Sequence, residues 1–208
     1  MRQSELHRPY DLIMSLGYNC MVAYQLKRLS LRNFSGPIDW VISENTDQLI
    51  RLLDHRFHGY MDEQNLAILG THNGFYSVMD TEYQMYSFHD FPIQSEEPRI
   101  TNYAEFKEKR DRRINHFMSL AANSDSSLFV RERCSYEEAI RLRQSLSSIV
   151  KGNPHLLIIN YTNDGRLVDH EWLDEGICSV SVNLDVPDEQ LRDSYWNDAF
   201  RGVTLIHK

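Results

Sequence analysis

The chain has 208 residues, of which 41% are hydrophobic and 25% charged, enough apolar material for one compact core and too much for a disordered chain. Its formal net charge of −8 provides no basic field to gather phosphate backbones, which argues against nucleic acid as a general partner. No run approaches the roughly eighteen apolar residues of a membrane helix. The stretch from Met1 to His7 also has no apolar leader, and together these predict a soluble, cytoplasmic protein with no membrane partner.

In chain order, residues 10–16 form a short apolar run that stops at Gly17, after which Val22, Leu26 and Leu29 fall at helical spacing. This reads as strand, glycine turn and helix, with Asn19 as N-cap and Cys20 in the first helical turn. Phe34 to Ile42 holds a Gly-Pro turn and then a mostly apolar strand carrying one acid, Asp39, next to Trp40. Thr46 to Phe57 reads as a helix. Strand-like stretches at 66–69, 75–79 and 84–88 are separated by His72-Asn73-Gly74 and Asp80-Thr81-Glu82, connections short enough for antiparallel hairpins. The last of them ends at His89-Asp90-Phe91-Pro92.

A helix is predicted over 102–122, and its basic stretch Lys107–Arg113 reads as a solvated helix surface because the chain around it is acidic. Beyond it come a strand at 127–131, a helix at 136–150, a strongly apolar strand at 155–161, and strands at 177–184 and 203–206 joined by a polar, Asp-rich connection. The sequence then closes on His207 and Lys208. No repeat or long linker divides the chain, so residues 1–208 are expected to form a single three-layer α/β domain. It would have a mostly parallel central sheet, helices on both faces and a small antiparallel β insert at about 64–91. If the strand at 203–206 is an exposed edge, it offers a route to a homodimer.

Cys20, Cys134 and Cys178 are too few and too far apart for a disulfide framework or a Cys-x-x-Cys metal pair. His55 and His58, near Asp54, Asp62 and His72, lack a third ligand at recognised spacing, so no metal is predicted. There is neither a Gly-x-Gly-x-x-Gly nor a Walker lysine, and no cofactor is predicted. Cys20 stands apart from the other two thiols: at a helix N-terminus after a glycine turn, unpaired N–H groups and the helix dipole stabilise a thiolate. The competing reading is a small residue packed under the turn.

The run Ser15-Leu16-Gly17-Tyr18-Asn19-Cys20, the pair Asp39-Trp40 within Ser35–Ser43, and the later His89-Asp90-Phe91 resemble a bacterial family of unknown function catalogued as "putative papain-like cysteine peptidases". The Phe129–Glu132 strand and the helix after it resemble the family's C-terminal half. The chain departs from the family pattern at Ile38 and Met21, changes that bear on pocket shape. The resemblance implies a cysteine hydrolase with Cys20 as thiol nucleophile and His89 as general base. It also implies an acid, Asp90 or Asp39, to orient the imidazole, and acyl transfer through a thioester. Asn19, Gly17 and Trp40 would then shape the oxyanion hole or the pocket, with backbone at 17–21 donating. Alternatives stay open at each position: an exposed strand-end histidine at 89, a hydrogen-bond hub at Asp39, a helix cap at Asn19, and a non-catalytic binding or assembly protein, or an acyltransferase, for the whole chain.

Overall fold

A computed structural model of the protein describes residues 1–206; His207 and Lys208 lie outside the described residues. The central sheet is built from β2 (Leu12–Ser15), β7 (Ser126–Glu132), β8 (Asn153–Tyr161), β10 (Ile177–Val182) and β9 (Val168–Asp169), in the order β2-β7-β8-β10-β9. The first four are parallel, and β9 is an antiparallel edge. Beside this sheet β1 (Pro9–Tyr10) pairs in parallel with β11 (Thr204–Leu205). The terminal strand predicted at 203–206 is thus short and paired on one side.

Both faces of the sheet are covered, because successive residues of a strand point to opposite sides. Leu12, Met14, Phe129, Leu156 and Ile158 join one cluster with α2 (Thr46–Asp54), α3 (Tyr103–Asn123) and α4 (Tyr136–Ser147). Ile13, Leu128, Val130, Leu157 and Ile159 join the other with α1 (Met21–Arg28) and α5 (Glu189–Ala199). This is the three-layer α/β architecture expected from the sequence.

Three local expectations are corrected. The strand read after the Gly-Pro turn, carrying Asp39, survives only as β3 (Val41–Ile42), because residues 37–40 form a turn around Asp39. The connection read as polar and Asp-rich contains α5, whose N-cap Asp188 accepts from the N–H groups of Gln190 and Leu191. Cys20 itself takes the N-cap position of α1, one residue later than predicted.

The insert is a four-stranded antiparallel sheet of β3, β6 (Met85–Ser87), β5 (Phe75–Asp80) and β4 (Leu66–His72), in that order. Its register puts the start of β3, the end of β6, the start of β5 and the end of β4 at one end of the sheet. That end meets the loop leaving β2.

Candidate active site

The loop between β2 and α1 is fixed before any functional side chain is placed. Gly17 and Tyr18 both lie in the left-handed region, at φ 76° and 79°, which turns the chain sharply out of the sheet. Ser43, just past β3, clamps this turn. Its hydroxyl accepts from Tyr18 N–H at 2.9 Å and its own N–H donates to the Tyr18 carbonyl at 3.1 Å. Arg131, fully buried in β7, donates to the Leu16 carbonyl at 3.0 Å and to the Ser43 hydroxyl at 2.8 Å, and its guanidinium lies over the Tyr18 ring. A Cβ on Gly17 would sit 2.6 Å from Ser43 Oγ, so glycine is required both by conformation and by approach. The sequence pointed to Gly17; nothing local marked Ser43 or Arg131, whose roles arise only when β7 lies beside β2.

From this clamp the chain enters α1 with Cys20 exposed at its head. Asn19 Oδ1 accepts from Met21 N–H at 2.7 Å, so its side chain holds the first N–H of α1 from the position before the N-cap Cys20. Its amide nitrogen has no partner among the described residues, and Asn19 also lines the cavity.

A cavity of about 320 Å³ opens here, lined by Asn19, Cys20, Trp40, Val41, Ile42, His72, Phe88 and His89. Of the residues picked out in the sequence, it unites Cys20, His89, Asn19 and Trp40. Gly17 lies behind it as the hinge of the loop. His72, which the sequence raised only as a metal ligand, enters from the end of β4. Its Nε2 lies 3.0 Å from the Asn73 amide nitrogen, and its ring meets Phe88 edge-on. His89 is exposed and packs edge-on against Phe75. The signal for His72 was present in the His72-Asn73-Gly74 hairpin, but its meaning depended on which end of the insert faces Cys20.

The two acids sit elsewhere. Asp39 is 2% exposed; its Oδ2 accepts from Gly36 N–H at 2.7 Å and pairs with Arg32 at 2.6 Å. Burial pushes its carboxyl above the ordinary carboxylate value, while Arg32 and the Gly36 N–H pull it back. Arg32 lies in turn over the Trp40 ring, so Asp39 holds the turn that presents Trp40. Asp90 accepts from Ser87 Oγ at 2.8 Å and pairs with Lys109 at 2.6 Å, and its carbonyl accepts from Asn102. Asp90 thereby anchors the loop that carries His89. Among the described residues, neither carboxylate is hydrogen-bonded to a histidine.

The oxyanion donors expected along 17–21 are fewer than predicted. Gly17 N–H goes to Ser15 Oγ, Tyr18 N–H to Ser43 and Met21 N–H to Asn19, which leaves the N–H groups of Asn19 and Cys20. The other two thiols are buried, Cys134 in one face cluster and Cys178 in the other, and burial pushes each up to about 12. No group of three or more His, Cys, Asp or Glu among the described residues is arranged to hold a metal ion. No helix among them is long and apolar enough to cross a membrane.

An exposed cysteine at a helix head and two histidines thus line one apolar-walled cavity of an α/β protein. Residues 11–160 match the family described as "Putative papain-like cysteine peptidase (DUF1796)", and the chain belongs to that family. It is also similar to an uncharacterized protein of Acanthamoeba polyphaga mimivirus, 26% identical over 183 residues that span 78% of this chain and 82% of the viral one. This relative is viral, not bacterial. No solved structure matches the chain. The span matched by the family runs from before β2 to the penultimate residue of β8 and contains every residue that lines the cavity.

Proposed function

We propose that the protein is a cysteine hydrolase in which Cys20 attacks a carbonyl carbon of the substrate. The observation that carries this reading is the exposed Cys20 at the head of α1 sharing one cavity with His89 and His72. The thiolate forms the C–S bond, the carbonyl oxygen takes the negative charge, and the N–H groups of Asn19 and Cys20 are the donors nearest in the chain to receive it. The imidazole that accepted the thiol proton returns it to the leaving group, giving a thioester that water then hydrolyses. His89 is the base to which the family resemblance leads. His72 shares the cavity wall, where the Asn73 amide nitrogen donates to its Nε2 and so places the ring proton on Nδ1.

The test is native-state alkylation by iodoacetamide across pH, mapped to each thiol, in the wild type and in His89→Ala and His72→Ala. Reaction is expected at Cys20 alone, with the pH profile displaced upward in whichever histidine variant removes the base. On an identified ester, thioester or peptide substrate, Cys20→Ala should abolish turnover. Uniformly slow labelling of all three thiols, or full turnover by Cys20→Ala, overturns the proposal.

A further inference from the structure

A second concave site lies on the same edge of the central sheet and shares no lining residue with the cysteine cavity. It has a volume of about 540 Å³ and is lined by Arg133, Asn160, Tyr161, Thr162, Asn163 and Asp185. These residues lie at or just past the carboxyl ends of the parallel strands β7, β8 and β10, the edge at which α/β sheets hold their ligands.

Its centre is Arg133, a non-glycine residue at φ 50°, a conformation that costs free energy and persists only where the surroundings impose it. Two rings flank its side chain. The guanidinium carbon lies 4.3 Å from the Tyr161 ring centroid and 5.1 Å from that of Tyr18. Arg133 is exposed and also hydrogen-bonds the two tyrosine side chains, and its remaining guanidinium N–H groups offer the fork that binds an oxyanion through two hydrogen bonds. Among the described residues no carboxylate lies within ion-pairing distance of Arg133, although eleven ion pairs are formed elsewhere in the molecule.

The polar groups around that fork differ in how far they are committed. Asn160 spends both ends of its amide on the Cys134 backbone, at 3.1 and 3.2 Å, so it braces the wall. Thr162 Oγ1 accepts from Asp164 N–H at 3.2 Å. Asp185 and the Asn163 side chain carry no partner among the described residues and are free to meet hydroxyl groups. Behind Tyr161 lies Glu132, fully buried: its Oε1 accepts from the Tyr161 hydroxyl at 2.6 Å, and its Oε2 has no partner. Glu132 thus holds the Tyr161 ring from behind without itself lining the cavity.

We propose that this cavity is a second ligand site, taking a small hydroxylated oxyanion whose phosphate or carboxylate sits on the Arg133 fork and whose hydroxyl groups donate to Asp185 and Asn163. The proposal is independent of the chemistry assigned to Cys20. Cationic fork and anionic acceptor face one ligand, so an anion without hydroxyl groups, or a sugar without an anion, satisfies only half of the site.

The experiment is isothermal titration of the full chain with ribose 5-phosphate and with gluconate, which separate a phosphate from a carboxylate. Inorganic phosphate and ribose alone serve as half-ligands. Saturable binding of at least one hydroxylated oxyanion is expected, tighter than either half-ligand. Affinity should fall by about tenfold or more in Arg133→Gln, the loss expected for one bidentate contact to a charged group. Asp185→Asn should weaken the hydroxylated ligand more than inorganic phosphate, and Cys20→Ser should bind as the wild type does. Should Arg133→Gln melt below the wild type, Arg133→Lys keeps the charge without the fork and should still bind more weakly. Absence of saturable binding by the wild type, ribose 5-phosphate and gluconate binding no tighter than their half-ligands, or equal affinity in a stably folded Arg133 variant would each overturn the proposal.

Discussion

Gly17 shows how much of the candidate site depends on a position with no side chain. Its φ of 76° favours glycine, and a Cβ there would come within 2.6 Å of Ser43 Oγ, which adds a steric cost to the conformational one. Gly17→Ala should destabilise the protein by about 1–3 kcal/mol through backbone strain and displacement of Ser43. Because Ser43 also binds Tyr18 and Arg131, the displacement passes to the loop that carries Cys20. Thermal melting together with the Cys20 alkylation rate checks this, and both should fall. A lowered melting temperature with unchanged Cys20 reactivity would separate the clamp from the thiol. The sequence made Gly17 and Cys20 legible because a glycine turn and a helix start are local signals. Ser43 and Arg131 stayed hidden because their partners lie up to 115 residues away in the chain.

At the scale of elements, the turn 36–40 decides where Trp40 stands. Asp39 was legible as an acid needing donors, but not which donors, since a strand and a turn would aim it differently. In the turn, Gly36 lets its backbone N–H come to 2.7 Å of Asp39 Oδ2, and Arg32 completes a pair whose side chains are 9% and 2% exposed. Removing one member leaves a buried, unmatched charge, so Asp39→Ala or Arg32→Met should each cost about 3–5 kcal/mol. Replacing both with apolar residues should cost less than the sum of the single changes. Urea titrations of the two single variants and the double variant supply the cycle, and strict additivity would mean that the pair does not hold the turn. The hairpins of the insert and most helices were legible from period and turn residues. α5 was not, because its buried face reduces to Tyr195, Trp196 and Ala199 in an otherwise polar stretch, too few apolar positions to raise a periodic signal.

For the molecule as a whole, the alternation of strands and helices made the α/β class legible, whereas strand order is set by long-range pairing that no local pattern encodes. One consequence of that order is that two titratable groups, one buried and one half-buried, lie in neighbouring strands, with opposite effects on stability. In β7, burial pushes Glu132 from the ordinary 4.5 up to about 7. The native state then holds a proton that the unfolded chain has lost, and stability present below pH 4.5 is lost as pH rises toward 7. In β8, burial first, then Arg8 and Arg143, bring His155 from 6.5 down to about 4, and its Nδ1 lies 2.8 Å from the Tyr10 hydroxyl. Here stability is present above pH 6.5 and is lost as pH falls toward 4. Glu132 contributes a slope of about 3 kcal/mol across its window. His155 is only half-buried, and solvent screening reduces its share to about 1–2 kcal/mol. Between pH 4.5 and 6.5 the two slopes oppose each other. Glu132→Gln should therefore make stability rise more steeply with pH in that interval, and His155→Gln should make it fall. Urea midpoints measured from pH 4 to 8 distinguish the cases: a Glu132→Gln curve running parallel to the wild type would mean that Glu132 is ionised in the native protein, with its second oxygen satisfied by water.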